Sequence, residues 1–135
     1  MNAVELVLPR LCTEEGFRSH AYHDSVGRLT WGYGQNIDAG VSPFVAKAAL
    51  IAQCDELNEQ LMTYTWYAAL DPARQSVCLD IAFNGGLHDL LNYPHMIAAL
   101  SKSDWEKAAS ECTVSNPKLQ GRYQQLAQII LTGQA

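Results

Sequence analysis

Apolar residues near the N-terminus recur at the spacing of a helix. The stripe from Val4 to Leu11 predicts a first helix, which contains Pro9 as an unfavourable interior residue and ends either at Thr13 or at the turn near Gly16. From Phe17 to Gln35 the pattern changes, because Tyr, Val, Leu, Thr and Trp are mixed with glycines at short intervals. This second segment predicts short strands around a turn, in which Gly27 supplies a positive φ.

A capping side chain followed by proline is typical of a helix start. Three such pairs occur, at Ser42-Pro43, Asp71-Pro72 and Asn116-Pro117. The first pair predicts a helix of about twenty residues over 43–62, with an apolar stripe along it. The second predicts a largely buried helix, with Phe83 among its apolar residues, that ends at Gly85-Gly86. The third predicts a last helix that stops at Thr132-Gly133.

Three segments between these helices have weaker patterns. Residues 63–70 contain Trp66 and Tyr67 and are predicted to form an aromatic loop. The segment from Tyr93 to Leu100 is typical of a short helix. The residues from Ser103 to Glu106 have the Ser-x-x-Glu spacing of a capping box, which predicts another helix with Ser103 as its N-cap.

Size and charge narrow the possible functions. A chain of 135 residues suits one domain, or two small lobes that share one core. The net charge of −5 argues against nucleic-acid binding, which relies on clustered Lys and Arg. No stretch of about 18 apolar residues is present, so membrane insertion is not expected. The N-terminal segment lacks a basic region and carries Glu5 among its apolar residues, which argues against a secretory signal.

The four cysteines are widely scattered along the chain. They contain no CxxC pair, and no histidine lies at the spacing of a zinc ligand, so no metal site is expected. Cys78 and Cys112 fall on apolar faces of predicted helices and are candidates for neighbours in the core. Buried free thiols are the first interpretation, and a disulfide between them is the alternative.

The candidate chemistry lies between Glu15 and Gln35. Glu15 falls at a predicted helix end, Asp24 in the predicted hairpin, and Thr30 six positions after Asp24. Two carboxylates that face each other across a groove are what hydrolysis of a glycosidic bond requires. One of them protonates the leaving oxygen, and the other orients water or stabilises positive charge on the sugar.

These residues also carry a family resemblance. Glu15-Gly, followed by Ala-Tyr-x-Asp24-x-x-Gly-x-x-Thr30-x-Gly-Tyr-Gly34, resembles the active-site signature of phage-type lysozymes, the endolysin muramidases of glycoside hydrolase family 24. The resemblance implies an α+β, mainly α, lysozyme-like fold. A small catalytic lobe over about 13–42 is then joined by a connecting helix over about 43–62 to a helical lobe. That larger lobe comprises about 63–135 together with the N-terminal helix.

The resemblance also implies roles for individual residues. Glu15 takes the place of the general acid, while Asp24 and Thr30 take the places of the carboxylate and the hydroxyl that position the attacking water. Arg122 matches the arginine that pairs with the catalytic glutamate. The candidate substrate-binding residues are Asn84, Tyr33, Gly34 and Gln35. The alternative roles are helix capping for Asn84, hairpin packing for Tyr33 and hydrogen bonding to the loop backbone for Gln35. Gln35 stands where the family usually has histidine, a change that bears on local packing.

The implied partner is bacterial peptidoglycan, cleaved at the β-1,4 bond between N-acetylmuramic acid and N-acetylglucosamine. No cofactor is implied, and a monomer is expected. The protein would be made in a host cytoplasm without a signal peptide and would act on the cell wall, in the periplasm, after release. Two alternatives stay open. One is a non-catalytic glycan-binding or structural module on a lysozyme fold, and the other is a different sugar hydrolase, such as a chitinase-like or transglycosylase activity.

Overall fold

The computed structural model describes all residues from Met1 to Ala135. Eight helices and one three-stranded antiparallel sheet make up the fold, which is therefore α+β and mainly helical, as predicted. The helices are α1 (Ala3–Glu15), α2 (Pro43–Leu61), α3 (Thr65–Ala68), α4 (Pro72–Gly85), α5 (Leu87–Leu91), α6 (Pro94–Ser101), α7 (Trp105–Glu111) and α8 (Pro117–Thr132). The strands are β1 (Arg18–His23), β2 (Leu29–Gly32) and β3 (Gln35–Asn36). None of the helices combines the length and the apolar character needed to cross a membrane.

The chain divides into two compact units, residues 1–48 and 49–135. In the first unit, α1 begins with a complete capping box. The Asn2 side chain accepts a hydrogen bond from the backbone N–H of Glu5 (3.0 Å), and the Glu5 carboxylate accepts one from the backbone N–H of Asn2 (2.8 Å). The helix continues through Pro9, and its last residue is Glu15 with Gly16 as the C-cap, so the second of the two predicted ends is confirmed.

The sheet of the first unit is a meander in the order β1-β2-β3. Tyr22 of β1 pairs with Thr30 of β2, and Thr30 pairs in turn with Asn36 of β3. The β1–β2 hairpin was predicted, with Gly27 at positive φ (84°) in its turn. The third strand was not predicted, because a strand of two residues is too short to show an alternating pattern.

Only one residue of the first unit is buried as a whole. Thr30 is 3% exposed and is the only buried residue of the range 1–48. The apolar stripe of α1 contains no buried residue at all. The first unit is thus ordered mainly by its backbone ladder and side-chain hydrogen bonds, and Thr30 stands out as its one buried polar residue.

The second unit contains the hydrophobic core. Its fully buried large side chains come from most of its helices: Leu61, Tyr67, Val77, Cys78, Ile81, Leu90, Met96, Leu100 and Ile130. Two of the predicted capping pairs lie here and are confirmed. The Asp71 side chain accepts from the N–H of Arg74, and that of Asn116 accepts from the N–H of Lys118. Ser42 likewise accepts from the N–H of Val45 at the start of α2.

Three predictions for the second unit are wrong. Residues 63–70 are not a plain loop, because they contain α3 and place Tyr67 at the centre of the core, with its hydroxyl donating to Asn58 (2.6 Å). Asp104, not Ser103, is the N-cap of α7, because the Asp104 carboxylate accepts from the N–H of Lys107. Phe83 is 44% exposed, since it lies on the outer side of α4.

Cys78 and Cys112 are buried and unpaired, in agreement with the first interpretation of the sequence. Burial raises the pKa of the Cys78 thiol to about 12 and that of the Cys112 thiol to about 11. Both groups are therefore protonated at neutral pH and act as small apolar side chains.

Candidate active site

Asp24 organises the turn between β1 and β2. Its Oδ1 atom accepts hydrogen bonds from the backbone N–H groups of Val26 (3.0 Å) and Arg28 (2.9 Å). Its Oδ2 atom accepts a third bond from the Arg28 guanidinium, at 3.1 Å from Nε. A carboxylate has about four acceptor positions. Three of them are used, so one position on Oδ2 remains for a further donor.

These contacts also fix the charge of Asp24. The backbone N–H of Arg28, the N–H of Val26 and the Arg28 guanidinium together hold the pKa of the Asp24 carboxyl below its ordinary value, against an opposing effect of burial. Asp24 is therefore an anion at any pH near neutrality.

Thr30 is connected to Asp24 through the backbone of Arg28. The Arg28 carbonyl accepts two hydrogen bonds, one from the backbone N–H of Asp24 (2.9 Å) and one from the Thr30 hydroxyl (2.9 Å). Because the hydroxyl uses its only proton in this bond, its lone pairs can act only as acceptors. The turn thus holds a carboxylate and an acceptor hydroxyl in one short hydrogen-bonded segment.

Glu15 is the last residue of α1, and its carboxylate lies against Gly34. A Cβ atom built on Gly34 would be 2.6 Å from Oε2 of Glu15, so a side chain at position 34 would displace this carboxylate. Gly34 also has a φ of +76°, which side chains rarely adopt. Glu15 is exposed and has no hydrogen-bond partner within the protein, so its carboxyl group is available to solvent or substrate.

Gln35 folds back over the turn between β2 and β3. Its Oε1 atom accepts a hydrogen bond from the backbone N–H of Tyr33 at 2.6 Å. This side chain therefore orders the Gly32-Tyr33-Gly34 turn, on which Glu15 lies. The contact agrees with the expectation that the residue at position 35 matters for local packing.

The predicted site residues of the first unit thus fall into two groups. Asp24 and Thr30 are linked through Arg28, whereas Glu15, Tyr33, Gly34 and Gln35 gather around the β2–β3 turn. No hydrogen bond joins the side chain of Glu15 to that of Asp24 or Thr30. The grouping of all three as one catalytic set therefore stays a prediction.

Two predicted site residues belong to the second unit. Asn84 is exposed near the end of α4. The Nε atom of Arg122 donates to Oδ1 of Asp80 at 2.7 Å, which makes a partly exposed salt bridge between α8 and α4. The predicted pairing of Arg122 with Glu15 stays a prediction.

The sequence did not indicate two residues that shape the site. Arg28 contributes its N–H, its carbonyl and its guanidinium to the turn that holds Asp24 and Thr30. Its position four residues after an acidic residue, across a glycine-containing turn, was the available signal. The carboxylate of Asp38 accepts a hydrogen bond from the N–H of Leu29 (2.8 Å), just before Thr30, and nothing in the local pattern predicts this contact.

Comparison with known protein families identifies the family of this chain. The sequence profile of the family described as phage lysozyme matches residues 12–128. The chain belongs to the phage lysozyme family. Comparison with curated protein sequences gives no significant match. Phage lysozymes are glycoside hydrolases that act on the peptidoglycan of the bacterial cell wall, and the family match assigns that general activity to this chain.

The match to the phage lysozyme family includes the predicted site residues of both units. It begins three residues before Glu15, spans the sheet that carries Asp24 and Thr30, and continues to Gln128 in α8. The resemblance to phage-type lysozymes that the Glu15–Gln35 motif indicated is therefore confirmed at the level of the family. No group of three or more His, Cys, Asp or Glu side chains is arranged to hold a metal ion.

Proposed function

We propose that the protein is a muramidase that cleaves the β-1,4 bond between N-acetylmuramic acid and N-acetylglucosamine. Glu15 is the general acid that protonates the leaving glycosidic oxygen. Asp24 and Thr30 hold the water that attacks the anomeric carbon. The observation that carries this proposal is the shared Arg28 carbonyl, which accepts from both the Asp24 backbone and the Thr30 hydroxyl.

The hydrogen-bond pattern at Arg28 suits a water nucleophile. An attacking water must direct a lone pair at the anomeric carbon, so its two protons need acceptors. One O–H of the water donates a hydrogen bond to the remaining acceptor position on Oδ2 of Asp24. The other O–H donates to the Thr30 hydroxyl, which can only accept because its own proton is bound to the Arg28 carbonyl. Asp24 then receives the proton that the water releases as the new C–O bond forms.

In this proposal Asp24 and Thr30 hold a water, which leads to direct attack by water instead of a covalent intermediate. The lowered pKa of Asp24 and its three protein donors keep it an anion near neutral pH. A stable anion still lowers the energy of an oxocarbenium-like transition state. We therefore propose single-step hydrolysis with inversion at the anomeric carbon, the outcome that the family resemblance also implies.

The accessibility of Glu15 suits a proton donor. Its carboxyl group has no partner within the protein and extends from the end of α1 over Gly34. Substrate binding at Tyr33, Gly34 and Gln35 would bring a glycan next to this group. Asn84 is proposed to contact sugar, and Arg122 to pair with Glu15.

Release of reducing ends from purified peptidoglycan tests this assignment. The wild type is expected to release them, and Glu15→Gln is expected to be slower by about a hundredfold or more, because a general acid contributes that much. Glu14→Gln is the matched control, since Glu14 is the preceding exposed residue of the same helix. Equal rates for the two variants would contradict the role of Glu15.

One observation favours the alternative of a non-catalytic glycan-binding module. Asp24 is already engaged by three protein donors, as a purely structural turn residue would be. In that case the wild type would bind peptidoglycan without releasing reducing ends. The same assay therefore separates the two functions.

A further inference from the structure

Two aromatic residues form an exposed pair beside Glu15. The ring centroids of Phe17 and Tyr33 are 5.4 Å apart, and the ring planes are tilted by 47°. Phe17 is 65% exposed and Tyr33 is 44% exposed. An aromatic pair of this geometry is a favourable contact, but much of its apolar surface is left in water. Two exposed aromatic side chains in contact offer a continuous apolar surface to a ligand.

The pair is anchored to the same two segments as the candidate acid. Phe17 follows Glu15 by two residues, and Tyr33 directly precedes Gly34. The segment from Glu15 to Phe17, at and just after the end of α1, therefore contacts the β2–β3 turn twice, once through Glu15 at Gly34 and once through Phe17 at Tyr33. The hydrogen bond from the Tyr33 N–H to Gln35 fixes the backbone that carries one of the two rings.

The chemistry of the pair fits one class of occupant. In β-1,4-linked N-acetylglucosamine and N-acetylmuramic acid, the ring substituents are equatorial, so each pyranose has two faces of axial C–H groups. Such a face is apolar and can lie on an aromatic ring, while the equatorial hydroxyl and acetamido groups stay in water. The tyrosine hydroxyl adds a polar group at the edge of this surface.

We propose that Phe17 and Tyr33 form a sugar-stacking platform that binds one pyranose of a β-1,4-linked glycan next to Glu15. This inference rests on the proposed function for its substrate class. The platform orients the ring beside the scissile bond by contact with its apolar face. Phe17 and Tyr33 are binding residues in this scheme, and neither takes part in proton transfer.

The test measures binding and turnover separately. Binding is measured with a soluble oligomer of β-1,4-linked N-acetylglucosamine, in the Glu15→Gln background so that the probe is not cleaved. Phe17→Ala is expected to weaken this binding by roughly three- to tenfold, as loss of one aromatic contact does. In the active enzyme the same substitution raises KM on solubilised peptidoglycan more than it lowers kcat, because the contact positions substrate without touching the reacting atoms.

The controls separate stacking from general apolar contact. Phe44→Ala removes an aromatic ring that is 84% exposed and belongs to no aromatic pair, so it should leave binding unchanged. Phe17→Leu keeps apolar volume without a ring and should bind nearly as weakly as Phe17→Ala, whereas Phe17→Tyr should retain binding. Circular dichroism tests whether each variant is folded. If Phe17→Ala does not fold, the comparison of Phe17→Leu with Phe17→Tyr still tests the platform.

The platform is contradicted if Phe17→Leu and Phe17→Ala bind the oligomer as tightly as Phe44→Ala does. Failure of the proposed function gives a different result, namely no release of reducing ends by the wild type. In that case the binding measurement still decides the platform, because it requires no catalysis. Loss of binding in both Phe17→Leu and Phe17→Ala, with binding retained in Phe17→Tyr, supports the platform.

Discussion

Oε2 of Glu15 lies 2.6 Å from the point that a Cβ atom of residue 34 would occupy, so the carboxylate of the candidate acid is seated directly on Gly34. A position without a side chain thus sets where the α1 carboxylate can lie. The Gly-Tyr-Gly segment is therefore more than a tight turn. It supplies the surface against which the candidate proton donor is held.

Replacing Gly34 should affect activity more than stability alone explains. Gly34→Ala forces a residue with a side chain to adopt a φ of +76°, at a cost of about 1–2 kcal/mol. The new methyl group would also displace the Glu15 carboxylate. A displacement of about 1 Å at a reacting group can cost about a hundredfold in rate.

Gly40→Ala is the matched control for this prediction. Gly40 has a φ of +77°, and a Cβ atom there would meet no atom within 4 Å. Thermal unfolding should show similar losses for the two variants, while peptidoglycan turnover should fall only in Gly34→Ala. Equal turnover in both variants would show that the contact with Glu15 has no catalytic role.

Two substitutions at Asp24 should separate its structural role from its proposed catalytic role. Asn retains an oxygen that can accept from the N–H groups of Val26 and Arg28, whereas Ala retains none. Asp24→Ala should therefore lower the melting temperature more than Asp24→Asn does. Both should lower kcat by about a hundredfold or more, because each removes the charge that stabilises the transition state. Full activity in folded Asp24→Asn would contradict the proposed role.

The lowered pKa of Asp24 predicts a loss of stability in acid. A carboxyl whose pKa is lower in the folded than in the unfolded state stabilises the fold above the unfolded value, which is ordinarily 3.8. This contribution disappears as the pH falls through the folded value. Melting temperatures measured from neutral pH to pH 2 should therefore drop less steeply in Asp24→Asn than in the wild type at the acid end. Parallel curves for the two proteins would show that Asp24 makes no such contribution.

Asn36 offers a route to greater stability. Its Oδ1 atom is buried and accepts no hydrogen bond within the protein. A buried acceptor without a partner costs about 1–3 kcal/mol. Asn36→Val removes the acceptor and places a β-branched residue in β3, so the melting temperature should rise by a few degrees. A lower melting temperature would show that the Asn36 amide stabilises the sheet.

The sequence predicted those features of the fold that depend on local signals. Helix starts at Ser42-Pro43, Asp71-Pro72 and Asn116-Pro117 follow from cap and proline chemistry, which acts within one turn of the chain. Ser103 was a plausible N-cap on the same grounds. Asp104 replaced it because its carboxylate accepts from the N–H of Lys107, and two competing caps one residue apart cannot be ranked by pattern alone.

Features that depend on tertiary contacts could not be predicted in this way. The central burial of Tyr67 results from packing within the second unit, which overrides the loop-like character of residues 63–70. Within the candidate site, the motif indicated Glu15, Asp24 and Thr30 but not the part played by Arg28 or Asp38. Those contacts depend on the exact path of the turn, and no spacing rule specifies which carbonyl the Thr30 hydroxyl will meet.

The central claim is that the enzyme adds water across the bond between N-acetylmuramic acid and N-acetylglucosamine. Mass spectrometry of the fragments released from purified peptidoglycan tests it most directly. Muramidase hydrolysis should give fragments that have each gained one water and that end in reducing N-acetylmuramic acid, with almost none formed by Glu15→Gln. Fragments that end in an anhydro sugar or in reducing N-acetylglucosamine, or undiminished release by Glu15→Gln, would contradict it.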